Sequence, residues 1–116
     1  MKPSTFAPAY VAFYPMLTDI ARRHGYALSI HGSVERDMDL LATPWTDEAV
    51  PAEQLMQAIA SYADTCMSAM FGSAVTVLGP DEKPHGRRAW LIKVGNGSCI
   101  DLSVMPRAPR ATGGES

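Results

Sequence analysis

Asp37 and Asp39 stand one residue apart, close behind a Gly-Ser pair, in the stretch Ile30-His31-Gly32-Ser33-Val34-Glu35-Arg36-Asp37-Met38-Asp39-Leu40. In a strand, residues two apart share a face, so these two carboxylates project side by side. Like charges that close repel, and a cation between them relieves the repulsion. A Gly-Ser turn beside them offers backbone N–H groups that can hold an anion such as phosphate. A third acid sits in Ile100-Asp101-Leu102, the same local pattern as Met38-Asp39-Leu40. An acid in mid-strand is costly if buried without a partner. Two such strands facing the same way make a cup of three carboxylates, the oxygen-rich setting that magnesium prefers. The chemistry predicted is that of a magnesium–phosphate site.

The elements that must position these residues follow from hydrophobic spacing. A first helix is expected over about Ala9 to His24, with Tyr10, Phe13, Tyr14, Leu17, Ile20 and Ala21 on one stripe and Gly25 as its stop. Pro15 should bend this helix or mark its true start. Tyr26–His31 and Asp37–Ala42 read as strands around a tight connection. Thr43–Val50 is a loop, and Pro51 suits the first position of a second helix. That helix carries Ala52, Leu55, Met56, Ile59, Ala63, Cys66, Met67 and Met70 on one face and ends at Gly72; the methionines read as core. Ala74–Leu78 is a β-branched strand, and Gly79–Gly86 a polar loop. Arg88–Val94 and Ser98–Met105 form a hairpin around Gly95-Asn96-Gly97. The register that puts Trp90, Ile92 and Val94 on the face of Ile100, Leu102 and Val104 also puts Lys93 on the face of Asp101 and Ser103. This order of elements predicts an α+β domain with helices packed on a mixed sheet.

The pattern of an apolar residue, Gly-Ser, Asp-x-Asp and a later acid in an apolar strand resembles the nucleotidyltransferase superfamily related to DNA polymerase β, especially its minimal, single-domain members. Here the elements are Ile30-His31-Gly32-Ser33, Asp37-Met38-Asp39 and Ile100-Asp101-Leu102, and the resemblance covers roughly Ala9 to Met105. It implies a nucleotidyltransferase-like fold, with two main helices on one face of a mixed five-stranded sheet. It also implies Mg²⁺-dependent transfer of a nucleoside monophosphate from a nucleoside triphosphate to a hydroxyl acceptor. Asp37 and Asp39 would ligate both metal ions, and Asp101 would ligate one and activate the acceptor. Gly32, Ser33, Arg36 and Lys93 would contact the nucleotide, Lys93 having the alternative role of a salt-bridge partner to Asp101. Only Val34, Glu35 and Arg36 separate Ser33 from Asp37, a shorter connection than the family uses. The alternative is a catalytically inactive, phage-type relative that acts by binding a protein or a nucleotide.

Composition sets the remaining bounds. At 116 residues, 47% hydrophobic and 19% charged, the chain is expected to form one domain over residues 1–106, followed by a mobile tail over 107–116. A net charge of −2 provides no electrostatic footprint for nucleic acid, although Arg87, Arg88 and Lys93 could form a local basic patch. Cys66 and Cys99 lack ligand spacing and read as buried thiols, which places the expected compartment in the cytoplasm. The apolar run Phe6–Leu17 is too short to span a bilayer and reads as the buried face of a helix. A small sheet leaves an edge strand, so a homodimer or a protein partner is expected to cover it. His31 reads as a strand-end residue, and His85-Gly86-Arg87-Arg88 as a solvated loop whose arginines could reach a phosphate. Trp45 and Trp90 are expected to pack, with base stacking by Trp45 the less favoured reading.

Overall fold

The computed structural model describes residues 7–31, 37–71, 75–95 and 98–107. Helix α1 (Ala7–Arg23) is followed by strands β1 (Tyr26–His31) and β2 (Asp37–Pro44), helix α2 (Ala52–Phe71), and strands β3 (Thr76–Glu82), β4 (Arg88–Gly95) and β5 (Ser98–Val104). The five strands form one mixed sheet in the order β1-β2-β5-β4-β3. β2 and β5 run parallel at its centre, and every other neighbouring pair is antiparallel.

The helices form because each has one apolar stripe to bury. On α1, Leu17 and Ala21 are buried, with Phe13, Tyr14 and Ile20 packed against the core. α1 runs through Pro15, starting eight residues before it, so Pro15 does not mark the start. On α2, Leu55, Ile59 and Ala63 are buried. Gln54 N–H and Leu55 N–H donate to the Pro51 carbonyl, which places Pro51 just before the helix. The two helices meet edge to face through Phe13 and Tyr62, with ring centroids 6.3 Å apart. Both lie on the sheet face formed by Leu28, Met38, Leu40, Ala42, Trp90, Ile92, Val94, Ile100, Leu102 and Val104. Among the described residues, no helix lies on the opposite face.

Two tyrosine hydroxyls join the layers. Tyr14 donates from α1 to the Leu28 carbonyl at 2.7 Å, and Tyr26 donates to the Val50 carbonyl at 2.6 Å. Gly25 ends α1 with φ +90° and accepts from Trp45 N–H at 3.0 Å. A Cβ there would lie 2.5 Å from Ala49 Cα, so both conformation and space require glycine.

The segment 79–82, expected to begin a polar loop, belongs to β3. The ladder shifts register between Leu78 and Asp81 around the cis Gly79-Pro80 peptide, then resumes at Asp81–Ala89. Only the single turn Pro84–Gly86 separates β3 from β4. Trp45 does not pack: it is 69% exposed, whereas Trp90 is buried. The apolar hairpin register is as expected, with Trp90 opposite Leu102 and Ile92 opposite Ile100; a shift between Lys93 and Gly95 accommodates it. The turn residues Asn96 and Gly97, the helix stop Gly72 and the tail 108–116 lie outside the described residues. Arg107, the first residue assigned to that tail, donates to the Ala49 carbonyl at 3.2 Å.

Leu102→Ala, on the central strand at 0% exposure, is expected to cost about 2–5 kcal/mol in urea unfolding. Leu78→Ala, at 46% exposure on the edge strand, should cost less than about 1 kcal/mol. Equal losses would contradict this assignment of the core.

Candidate functional site

Strand alternation sends every second residue of the central strands to the face without helices. From β2 these are Asp37, Asp39 and Leu41, and from β5 they are Cys99, Asp101 and Ser103. The parallel ladder places Asp37 beside Cys99, Asp39 beside Asp101, and Leu41 beside Ser103. Neighbouring strands lie about 4.8 Å apart, so the Asp39 and Asp101 side chains leave the sheet together. β1 adds His31 opposite Asp39, and β4 adds Leu91 opposite Asp101 and Lys93 opposite Cys99. The three acids expected to cooperate therefore share one face, on the two adjacent central strands.

Their crowding has an electrostatic consequence. Burial raises the Asp39 carboxyl above its ordinary range, and the charges of Asp101 and Asp37 push it further, while His31 pulls it down. The Cys99 thiol is also raised, first by burial and then by Asp37, with Lys93 opposing and Asp101 adding to the rise. Lys93 is exposed and makes no ion pair with Asp101 among the described residues. Among those residues, no three His, Cys, Asp or Glu side chains stand close enough to hold one ion as placed.

Two adjoining clefts cross this face. One, of about 440 Å³, takes in His31, Asp39, Leu41, Asp101, Arg87 and Met105. The other, of about 420 Å³, extends over β4 and β3 and includes Leu78, Asp81, Lys83 and Leu91. Arg87, Asp101 and Ser103 line both. Arg87 Nη1 donates to Ser103 Oγ at 2.9 Å, which fixes the guanidinium over the central strand. Its neighbour Arg88 takes the opposite direction. There it pairs with Glu53 of α2 at 2.7 Å and with Glu82 at 3.3 Å, and it stacks on Trp90. The Glu82 pair lacks hydrogen-bond alignment, leaving Arg88 Nε buried without a hydrogen-bond partner. Of the adjacent arginines, Arg88 ties α2 to the sheet and Arg87 faces the clefts.

Gly32, Ser33 and Arg36 lie outside the described residues. Trp45 stands six residues beyond Asp39, about 20 Å along the strand direction, beside a separate small cavity lined by Thr18, Arg22 and Tyr26. It cannot stack on a base held close to Asp39. Cys66 and Cys99 are half-buried rather than buried, and neither forms a disulfide. Ser103 shares the face of Asp101, as the hairpin register predicts, and Met105, two residues on, continues the same alternation into the cleft.

No family model, curated protein or solved structure matches this chain.

Because the Asp39 pKa is raised, the native state binds more protons than the unfolded chain between the ordinary aspartate range and the raised value. Stability therefore falls as pH rises through that window and levels off above it. Asp39→Asn should remove this fall and stabilise the protein at pH 7 by a few tenths to about 1 kcal/mol, the scale of cross-strand charge pairs. Denaturant unfolding at pH 3 and pH 7 reads it directly. A variant less stable than the parent at pH 7, with the same pH slope, contradicts the crowding.

Proposed function

We propose that this chain is a nucleotidyltransferase-like protein that transfers a nucleoside monophosphate from a nucleoside triphosphate to a hydroxyl acceptor, with Mg²⁺ as its cofactor. The observation that carries the reading is the in-register pair Asp39–Asp101 on parallel central strands, with Asp37 on the same face. The donor set suits the ion: three carboxylates supply hard oxygen ligands, and no lysine or arginine among the described residues pairs with them. Asp37, Asp39 and Asp101 would hold it, with side-chain rotation closing the distance between them. When bound, Mg²⁺ would offset phosphate charge and polarise the α-phosphoryl group.

The chain's own residues have separable tasks in this reading. Asp101 lies at the junction of the two clefts, so its carboxylate is placed to accept the proton of an acceptor hydroxyl. Asp39, whose ionised form is already disfavoured, stands to gain most from a neighbouring cation. His31 lines the donor-side cleft and presents an imidazole to a phosphate or ribose. Leu41 and Met105 give that cleft an apolar floor that excludes water from bound phosphates.

Isothermal titration with Mg²⁺ and a non-hydrolysable nucleoside triphosphate tests the reading. The expected result is saturable, Mg²⁺-dependent binding that weakens at least about tenfold, or ~1.4 kcal/mol, in Asp39→Asn and in Asp101→Asn. Incubation with labelled nucleotides and a cell lysate should transfer label from the α-phosphate, and not in the Asp101→Asn variant. Triphosphate binding that is indifferent to Mg²⁺ and to both substitutions would remove the reading.

A further inference from the structure

The cleft over β4 and β3 carries both signs of charge on an apolar bed. Arg87 and Lys83 supply the positive charges, Asp81 and Asp101 the negative ones, and Leu78 and Leu91 the apolar bed. Of the three clustered acids only Asp101 reaches this cleft, whereas Asp39 lines the other. Arg87 is half-buried and held at both ends. Its carbonyl accepts from Lys83 N–H at 2.7 Å, closing the turn through residues 84–86, and its Nη1 is fixed on Ser103. No carboxylate pairs with its guanidinium among the described residues, although Arg88 beside it is engaged by two glutamates. A guanidinium oriented in this way with N–H groups to spare is suited to a phosphate.

We propose that this second cleft is the acceptor subsite, and that it takes a hydroxyl compound bearing a phosphate group. Arg87 grips the phosphate and the hydroxyl points to Asp101. The inference rests on the nucleotidyl-transfer reading and adds to it the chemical class of the second substrate. In the step, the acceptor oxygen forms a bond to the α-phosphorus of the nucleoside triphosphate held in the first cleft. The bond from that phosphorus to the α–β bridging oxygen breaks, and its electron pair leaves with pyrophosphate. The hydroxyl proton passes to the Asp101 carboxylate and then to solvent. Arg87 is a positioning residue here, because it holds the end of the acceptor away from the reacting atoms.

The test uses glycerol 3-phosphate as probe and glycerol as its phosphate-free control, titrated without nucleotide into the full chain and followed by backbone amide NMR. Saturable shifts at Ala89 and Ser103 are expected with glycerol 3-phosphate and none with glycerol. Arg87→Gln, which keeps a donor for Ser103 but loses the charge, should weaken the response about tenfold, and Asp39→Asn should leave it in place. Ser103→Ala, which frees the guanidinium without removing it, should weaken it less than Arg87→Gln. No saturable response in the parent, or an equal response in Arg87→Gln, overturns the acceptor subsite. A parallel titration with Mg²⁺ and a non-hydrolysable triphosphate separates the two claims. Asp39-dependent nucleotide binding without a glycerol 3-phosphate response removes only the acceptor subsite. If Arg87→Gln weakens nucleotide binding as much as Asp39→Asn, Arg87 belongs to the donor side and the inference fails.

Discussion

Parallel, in-register pairing of β2 with β5 is the constraint on which the face without helices depends. A slip of one residue would set Asp39 beside Ile100 or Leu102 and send one strand's acids into the core. Because the strands run the same way with Asp39 beside Asp101, every alternate residue of both strands emerges together. The inward set then supplies Met38, Leu40, Ala42, Ile100, Leu102 and Val104 to a core sealed by α1 and α2. One pairing therefore closes the apolar layer and crowds the carboxylates. The stability of the first layer sustains the repulsion of the second.

The irregularities of the sheet serve the same separation of faces. The shift between Lys93 and Gly95 allows the hairpin to keep Trp90 and Ile92 in the core while Lys93 remains outside. The shift around Gly79 and Pro80 lets β3 continue to Glu82, which reaches Arg88. Arg88 is thereby drawn toward α2 and Trp90, and strand alternation leaves Arg87 to the opposite side. Two identical adjacent residues thus acquire different partners, because the pleat sends them to opposite faces and Glu53 and Glu82 engage only Arg88. Gly25 has a comparable influence at the other end, where its positive φ turns the chain from α1 into β1 and fits it against Ala49.

Much of this was legible in the sequence, for physical reasons that also mark where legibility ends. Period-two alternation identified the faces of Asp37, Asp39 and Asp101, and helical spacing identified Leu17, Ala21, Leu55 and Ile59 as core. Strand neighbours are set by tertiary packing, so the parallel placement of β2 beside β5 needed the structure. The polar composition of Gly79–Glu82 concealed a strand, because an edge ladder with an irregularity tolerates Gly and Pro. Hydrophobicity alone predicts that Trp45 packs; beyond the end of β2 it instead stands largely exposed beside the cavity lined by Thr18, Arg22 and Tyr26. The sequence places Ser103 on the face of Asp101 and leaves Arg87 free to reach a phosphate; the bond between Arg87 and Ser103 and their place in both clefts needed the structure.

The central claim is that the acids of β2 and β5 jointly seat a divalent ion. Mn²⁺ titration followed by paramagnetic broadening of backbone amides tests it most directly, since Mn²⁺ takes the same oxygen ligands. On this account broadening begins at Asp37–Asp39 and Ile100–Leu102 together, at the lowest Mn²⁺ concentrations. Broadening that begins at other exposed acids such as Asp47 and Glu48, with β2 and β5 unaffected, contradicts it.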